Sequence, residues 1–178
     1  MRNLPRALWI ASAAAFALSA LAGAGGARIN TTSSYPPGLY WITGAPARPG
    51  ALVIACPPPV ATVAAGLRRG YLGAGFCPGG YGYVIKKMLA MPGDRVAVTG
   101  QGVRVNGALV PNSAPRQADT EGRPLPGRET AYTLGPAQVL LLSDYSPGSF
   151  DGRYFGPVAQ SAIKGVLRPV FTVGRPAH

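Results

Sequence analysis

Tyr83-Val84-Ile85-Lys86-Lys87-Met88-Leu89-Ala90 runs through Met91-Pro92-Gly93-Asp94 into Arg95-Val96-Ala97-Val98-Thr99-Gly100-Gln101-Gly102-Val103-Arg104-Val105-Asn106-Gly107-Ala108-Leu109-Val110. The first eight residues are apolar apart from two lysines, which predicts a largely buried strand. Arg95–Val98 and Val103–Val105 alternate at strand period, and Gln101-Gly102 supplies the turn between them. Asn106-Gly107 supplies a second hairpin turn towards Leu109-Val110, because both residue types accept left-handed backbone. Short strands joined by tight turns set the fold class: mainly β.

The flanking sequence extends the pattern. Leu39–Thr43 and Ala51–Ala55 read as strands around a Pro/Gly turn, and Cys56-Pro57-Pro58-Pro59 stops the second. Val60–Arg69 is a helix candidate that Gly70 ends. Gly73–Gly82 is a glycine-rich loop, and Pro111–Arg128 a polar, exposed excursion. Val139–Leu142 is a core strand and Ile163–Val173 another. One or two short helices are therefore expected in an antiparallel β domain. The composition agrees, with 25 Gly and 19 Pro in 178 residues but only 13% charged. Hydrophobic residues reach 47%, which excludes a disordered chain.

Residues 1–27 read as an export segment. Arg2 and Arg6 precede an uncharged, mostly apolar run from Ala7 to Ala24, about 18 residues long, at the boundary between a signal-peptide core and a short spanning helix. Cleavage at the small residues of 22–27 and retention as an anchor both remain open. Residues 28–178 form the exported domain. Its two cysteines, Cys56 and Cys77, fit an oxidising compartment as a disulfide, with two buried free thiols as the alternative. The net charge of +11 can serve nucleic acid, an anionic membrane or an acidic partner. The arginines are scattered and no nucleic-acid-reading motif occurs, so a basic surface beside anionic lipid is expected and nucleic acid is not.

The single histidine is His178, the last residue, so a Ser-His-Asp triad, a Cys-His pair and a His-ligated zinc site lack an internal imidazole. A serine nucleophile then needs another base, and lysine is the usual substitute. Ser34 lies in Thr31-Thr32-Ser33-Ser34-Tyr35-Pro36-Pro37-Gly38, where the prolines stiffen the backbone; the plain alternative is a polar linker. Lys86 and Lys87 are adjacent on a strand and point to opposite faces, one to solvent and one inward. An inward ammonium loses hydration and its pKa falls, which yields a base near neutral pH. The third stretch, Ser143 to Gly156, follows the strongest apolar strand and offers Ser149, Asp151 and Arg153 around turns.

In this order, behind an export segment, the three stretches resemble the signal peptidase I-like serine proteases with a Ser-Lys dyad. Ser34-Tyr35-Pro36-Pro37-Gly38-Leu39 fits that family's serine motif. Lys86, six residues before Pro92-Gly93-Asp94, fits its lysine motif and selects Lys86 over Lys87. Ser149–Gly156 fits the closing box, with Gly152 where the family has a serine. Pro36-Pro37-Gly38-Leu39-Tyr40-Trp41, the segment around Cys77-Pro78-Gly79 and the short gap between Asp94 and Ser143 look closer to the plasmid conjugative-transfer branch, the TraF-type peptidases. That gap has little room for the large second domain of the housekeeping enzyme. Ser143-Asp144-Tyr145-Ser146-Pro147 departs from the family's Gly-Asp-Asn-Arg-Asp, so the hydrogen bonds of the missing Asn and Arg need replacements.

The resemblance implies a signal-peptidase-like fold and a periplasmic, membrane-associated endopeptidase without metal or organic cofactor. Ser34 is the implied nucleophile and Lys86 the base. The Ser34 N–H and the Thr32 hydroxyl form the oxyanion hole, Ser149 orients the Lys86 amine, and Asp151 and Arg153 brace the loop. The implied substrate is a membrane-tethered pilin precursor, processed or cyclised for conjugative DNA transfer. The alternatives are a general signal peptidase acting on preproteins and a non-catalytic, membrane-anchored part of the transfer apparatus. Ser161-Ala162-Ile163-Lys164 imitates the Ser-x-x-Lys of penicillin-interacting enzymes, but lies on a strand and lacks the accompanying Lys-Thr-Gly.

Overall fold

The computed structural model describes residues 4–127 and 129–174; Arg2, Arg128 and His178 lie outside the described residues. Helix α1 (Leu4–Ala24) is followed after two glycines by β1 (Ala27–Asn30). Then come β2 (Gly38–Thr43), β3 (Leu52–Ala55), α2 (Ala61–Arg68), β4 (Ala74–Cys77) and β5 (Val84–Ala90). The hairpins β6 (Arg95–Thr99), β7 (Gly102–Val105) and β8 (Ala108–Leu109) precede β9 (Thr130–Thr133) and β10 (Gln138–Leu142). The chain closes with α3 (Gly152–Phe155), β11 (Val158–Ala159), a 3₁₀ turn and β12 (Ile163–Thr172).

Seven strands form one sheet in the order β1-β2-β12-β3-β5-β10-β11, and four form another in the order β8-β7-β6-β9, with antiparallel pairing in both. The second sheet occupies the gap between Asp94 and Ser143. Strand β10 is buried on both faces, which explains its unbroken apolar run. Val139 and Leu141 pack with Val53, Met88 and Phe155, while Leu140 and Leu142 pack with Val96, Val98 and Val103.

Asn106 and Gly107 make the hairpin turn expected of them, at φ 50° and 86°, between paired Val105 and Ala108. The preceding turn sits one residue earlier than expected. Thr99 pairs with Gly102, so Gly100 and Gln101 form the tip, and the Thr99 hydroxyl closes it by accepting from the Gln101 N–H and donating to the Gly102 carbonyl. The glycine-rich 73–82 segment is not featureless, since it contains β4, bridged to Tyr81. Strands β1 and β9 and helix α3 are additions to the sequence reading. The 111–127 excursion, mostly exposed, is folded back on the body by Arg69 on the Pro124 carbonyl, Arg123 on Asp119, and the Tyr71 hydroxyl on Asp119.

Helix α1 is long and apolar enough over Arg6–Ala24 to cross a membrane, and its Trp9, Phe16 and Leu21 are exposed. Beyond it, Cys56 and Cys77 are disulfide-bonded with Cα atoms 5.5 Å apart, closing a loop that contains α2. Loop closure of this length is worth about 3 kcal/mol. Cys56→Ser and Cys77→Ser should therefore each lower the melting temperature by roughly 6–12 °C, and the double variant by little more. Additive losses in thermal melts would show that the two sulfurs contribute separately, by packing.

Candidate active site

The chain turns back on itself between β1 and β2, and Asn30 holds the turn. Its buried side chain donates Nδ2 to the carbonyls of Thr32, Tyr35 and Pro36 at 3.2, 2.9 and 3.2 Å, and its Oδ1 accepts from the Thr32 N–H at 3.0 Å. Ser34 sits at the centre of this turn and is 9% exposed. Asn30 was invisible to motif reading because it lies outside the serine motif; its signal is an Asx residue two positions before a polar turn. Thr32, assigned to the oxyanion hole, lies beside Ser34, but its hydroxyl donates to Asn30 Oδ1 at 2.8 Å.

Lys86 lies on β5, between β3 and β10, with Val53 as a cross-strand partner. Its side chain is 3% exposed and its Nζ donates to Ser34 Oγ at 2.7 Å. Burial pushes the Lys86 ammonium down to about 8, outweighing the nearby Asp151 carboxylate, while the Arg153 charge pushes further down. At pH 7 about a tenth of the side chains are then neutral, against roughly 0.03% at the ordinary lysine value. An amine in that state can accept the Ser34 proton across the same contact.

Lys87 does not face solvent as the alternation suggested. Strand β5 is interior to its sheet, and the far face carries the start of the 143–156 segment, so Lys87 is half-buried and ion-paired with Asp144 at 2.7 Å. Asp144 also accepts from the hydroxyl of fully buried Tyr35, the residue after Ser34, at 2.9 Å. Burial, then the Asp144 charge, push the Tyr35 phenol well above its usual value, so it remains a donor. Lys86 thus touches Ser34 directly, while Lys87, on the opposite face of the strand, is linked to the serine turn through Asp144 and Tyr35.

Ser143 binds the third stretch to the first. Its Oγ donates to the Ser34 carbonyl at 2.6 Å and accepts from the Ser146 N–H at 3.0 Å. Its own N–H donates to Asp151 Oδ2 at 3.0 Å, and its carbonyl accepts from Arg153 Nη2 at 3.0 Å. Asp151 and Arg153 form an ion pair at 2.8 Å whose two side chains are fully buried. Arg153 Nη1 also donates to the carbonyls of Asn112, at 2.8 Å, and Pro147, at 3.4 Å, which ties the excursion to this loop. Ser143 and Arg153 therefore supply hydrogen bonds in a segment that lacks the family's Asn and Arg.

Ser149, assigned to the Lys86 amine, instead lies 3.3 Å from Ser34 Oγ, so the serine hydroxyl is flanked by the amine on one side and a second hydroxyl on the other. The glycine in place of the family's serine has a steric reason. A Cβ on Gly152 would come within 2.8 Å of both the Leu141 carbonyl oxygen and a Leu140 methyl.

A cleft of about 230 Å³ opens at Thr32, Ser33 and Ser34. Its far wall is Tyr71, Leu125, Phe150 and Tyr154, and Arg116, Asp119, Thr120 and Gly148 complete it. Buried Lys86 lies behind Ser34. A peptide carbonyl in this cleft could meet a hydroxyl, a base and backbone N–H donors together.

The chain is similar in sequence to known proteins along nearly its whole length. The family described as signal peptidase, peptidase S26, matches residues 3–172. A plasmid transfer protein TraF from Escherichia coli is 53% identical over 173 residues, covering 97% of each chain. A conjugal transfer protein TraF from Agrobacterium tumefaciens is 40% identical over 176 residues, covering 97% of this chain and 98% of the relative. A solved signal peptidase I from Enterococcus faecalis aligns at 20% identity with a TM-score of 0.38, covering 71% of this chain and 99% of that one.

Proposed function

Because this chain belongs to the signal peptidase family, peptidase S26, we propose that it is a membrane-associated serine endopeptidase in which Ser34 is the nucleophile and Lys86 the general base. The observation that carries the reading is the 2.7 Å contact between a buried lysine amine and a serine hydroxyl at the mouth of a cleft. Neutral Lys86 removes the Ser34 proton as Oγ attacks the substrate carbonyl, and the carbonyl electron pair moves onto oxygen. The Ser34 N–H and the Thr32 hydroxyl, rotated away from Asn30, hold that oxyanion; one such donor is worth about 3 kcal/mol of barrier. Lys86 returns its proton to the leaving amine, leaving an acyl-enzyme on Ser34. Water then releases a linear product, or an amine of the substrate releases a peptide-bonded one, cyclic when the amine is its own N-terminus.

The names of the relatives support a role in conjugal transfer. The substrate is then a membrane-tethered pilin precursor, cut on the periplasmic side of the inner membrane, with α1 holding the enzyme against the lipid. The pH–rate profile tests the base. Since only the neutral amine is competent and burial lowers its pKa, activity should rise about tenfold per pH unit below 8 and level off above it. A rate still climbing steeply above pH 10 would mean that Lys86 keeps its ordinary affinity for the proton, and the mechanism would fail.

A further inference from the structure

We propose that Arg116 is a specificity residue that selects substrates carrying a carboxylate close to the scissile bond; the inference rests on Ser34 being the nucleophile. Arg116 and Asp119 are the charged side chains lining the cleft that contains Ser34, and their electrostatic situations are opposite.

Asp119 is already satisfied. It accepts from the Tyr71 hydroxyl, from Arg123 Nε at 2.6 Å, and from the N–H groups of Glu121 and Arg123 at 2.9 Å each. Burial pushes the Asp119 carboxyl up, but the bonds from Tyr71 and Arg123 together outweigh it and hold the group well below the usual range. Its charge is spent within the excursion, and it has little left to offer a ligand.

Arg116 is the counterpart without a carboxylate. Among the described residues its guanidinium has neither an ion pair nor a side-chain hydrogen bond, and it is exposed to the cleft. Its root is nonetheless held, because the Arg116 backbone N–H donates to the Tyr154 hydroxyl at 2.9 Å, and Tyr154 stacks on Phe150. The guanidinium end passes Gly148, where an added Cβ would meet Nη1 at 3.8 Å. Gly148 directly precedes Ser149, whose hydroxyl touches Ser34. The guanidinium therefore lies beside the loop that contacts the nucleophile.

Tyr71, Leu125, Phe150 and Tyr154 give the rest of the cleft an apolar wall. A peptide bound against this wall would cover the exposed cation and exclude water from it, so a pair formed there is stronger than one on an open surface. A guanidinium recognises a carboxylate through paired donors. An Asp or Glu side chain and a nearby chain end present the same carboxylate chemistry.

The full-length chain in detergent, wild type and the variants Arg116→Glu and Ser34→Ala, should be given synthetic peptides with Asp, Asn or Lys placed in turn at each position. Each peptide is supplied with a free and an amidated C-terminus, and cleavage is read by mass spectrometry. Wild type is expected to cleave an Asp peptide, or the free-acid form, about tenfold faster than its Asn or amidated counterpart. The Asp–Asn comparison reports a side-chain carboxylate and the acid–amide comparison a terminal one. Arg116→Glu should reverse the order towards Lys peptides. Equal rates across all wild-type pairs, or an acidic preference that survives in Arg116→Glu, would overturn the proposal. Cleavage by Ser34→Ala at the wild-type rate, or by neither protein, would instead sink the peptidase reading beneath it.

Discussion

Replacing Ser34 with Ala, or Lys86 with Ala or Arg, is expected to leave the proposed substrate, a pilin precursor, unprocessed in cells while the protein stays folded. The loss should be on the order of 10⁴-fold or more, as for other members of a nucleophile–base unit. Lys86→Arg is the sharpest of the three. It preserves the positive charge, but a guanidinium does not release its proton in this pH range, so an electrostatic role would survive and a base would not. Lys87→Ala makes the comparison. It leaves Asp144 without its 2.7 Å partner and loosens Tyr35, yet does not remove the Lys86–Ser34 contact. A reduced but measurable activity is expected. The readout is the intact mass of that proposed substrate, which for a ring differs by one water from the linear, trimmed chain. If Lys87 proves indispensable and Lys86 dispensable, the strand carries its base on the other face and the mechanism is wrong.

Asp151→Ala and Arg153→Ala should produce the largest losses of stability. Each leaves a buried charge without its counter-ion, at a cost of about 3–5 kcal/mol. That corresponds to a fall in melting temperature of roughly 6–20 °C. The double variant should lose much less than the sum of the singles, since the second change removes the stranded charge the first created. Activity should fall further than stability explains, because Ser143 depends on both residues and in turn holds the Ser34 carbonyl. A double-mutant cycle in thermal melts decides the first point, and additive losses would contradict a coupled pair.

The core strand and the hairpins were legible because their signals are local, an Asn-Gly turn, alternation and an unbroken apolar run, although the tip of the first hairpin lay one residue earlier than read. Strands β1 and β9 were not, because each is four residues long and lacks a clear period; both exist through long-range pairing, β1 with β2 and β9 with β6. The arrangement of Ser34 and Lys86 could be anticipated only through spacing that resembled a family, since the residues alone left Ser34 in a polar linker and did not choose between Lys86 and Lys87. Asn30 and Ser143 escaped because their work is to hydrogen-bond backbone of a distant segment or a neighbouring turn, which residue type does not announce. The place of Lys87 was misjudged for a related reason. Alternation tells which face a residue takes, but not whether that face is covered.

The two-glycine joint between α1 and β1 sets a range of action. Ser34 is ten residues beyond Ala24, and ten extended residues span at most about 35 Å. Because β1 folds directly back along β2, the true separation is shorter. With α1 held in a membrane, as proposed, an active site leashed this closely would sample a thin layer rather than a volume. A scissile bond anchored in the same layer would meet the proposed dyad at a high effective concentration, whereas the same peptide free in solution must be captured from bulk. Selectivity for tethered substrates can therefore come from a linker's length, with no added contact in the cleft.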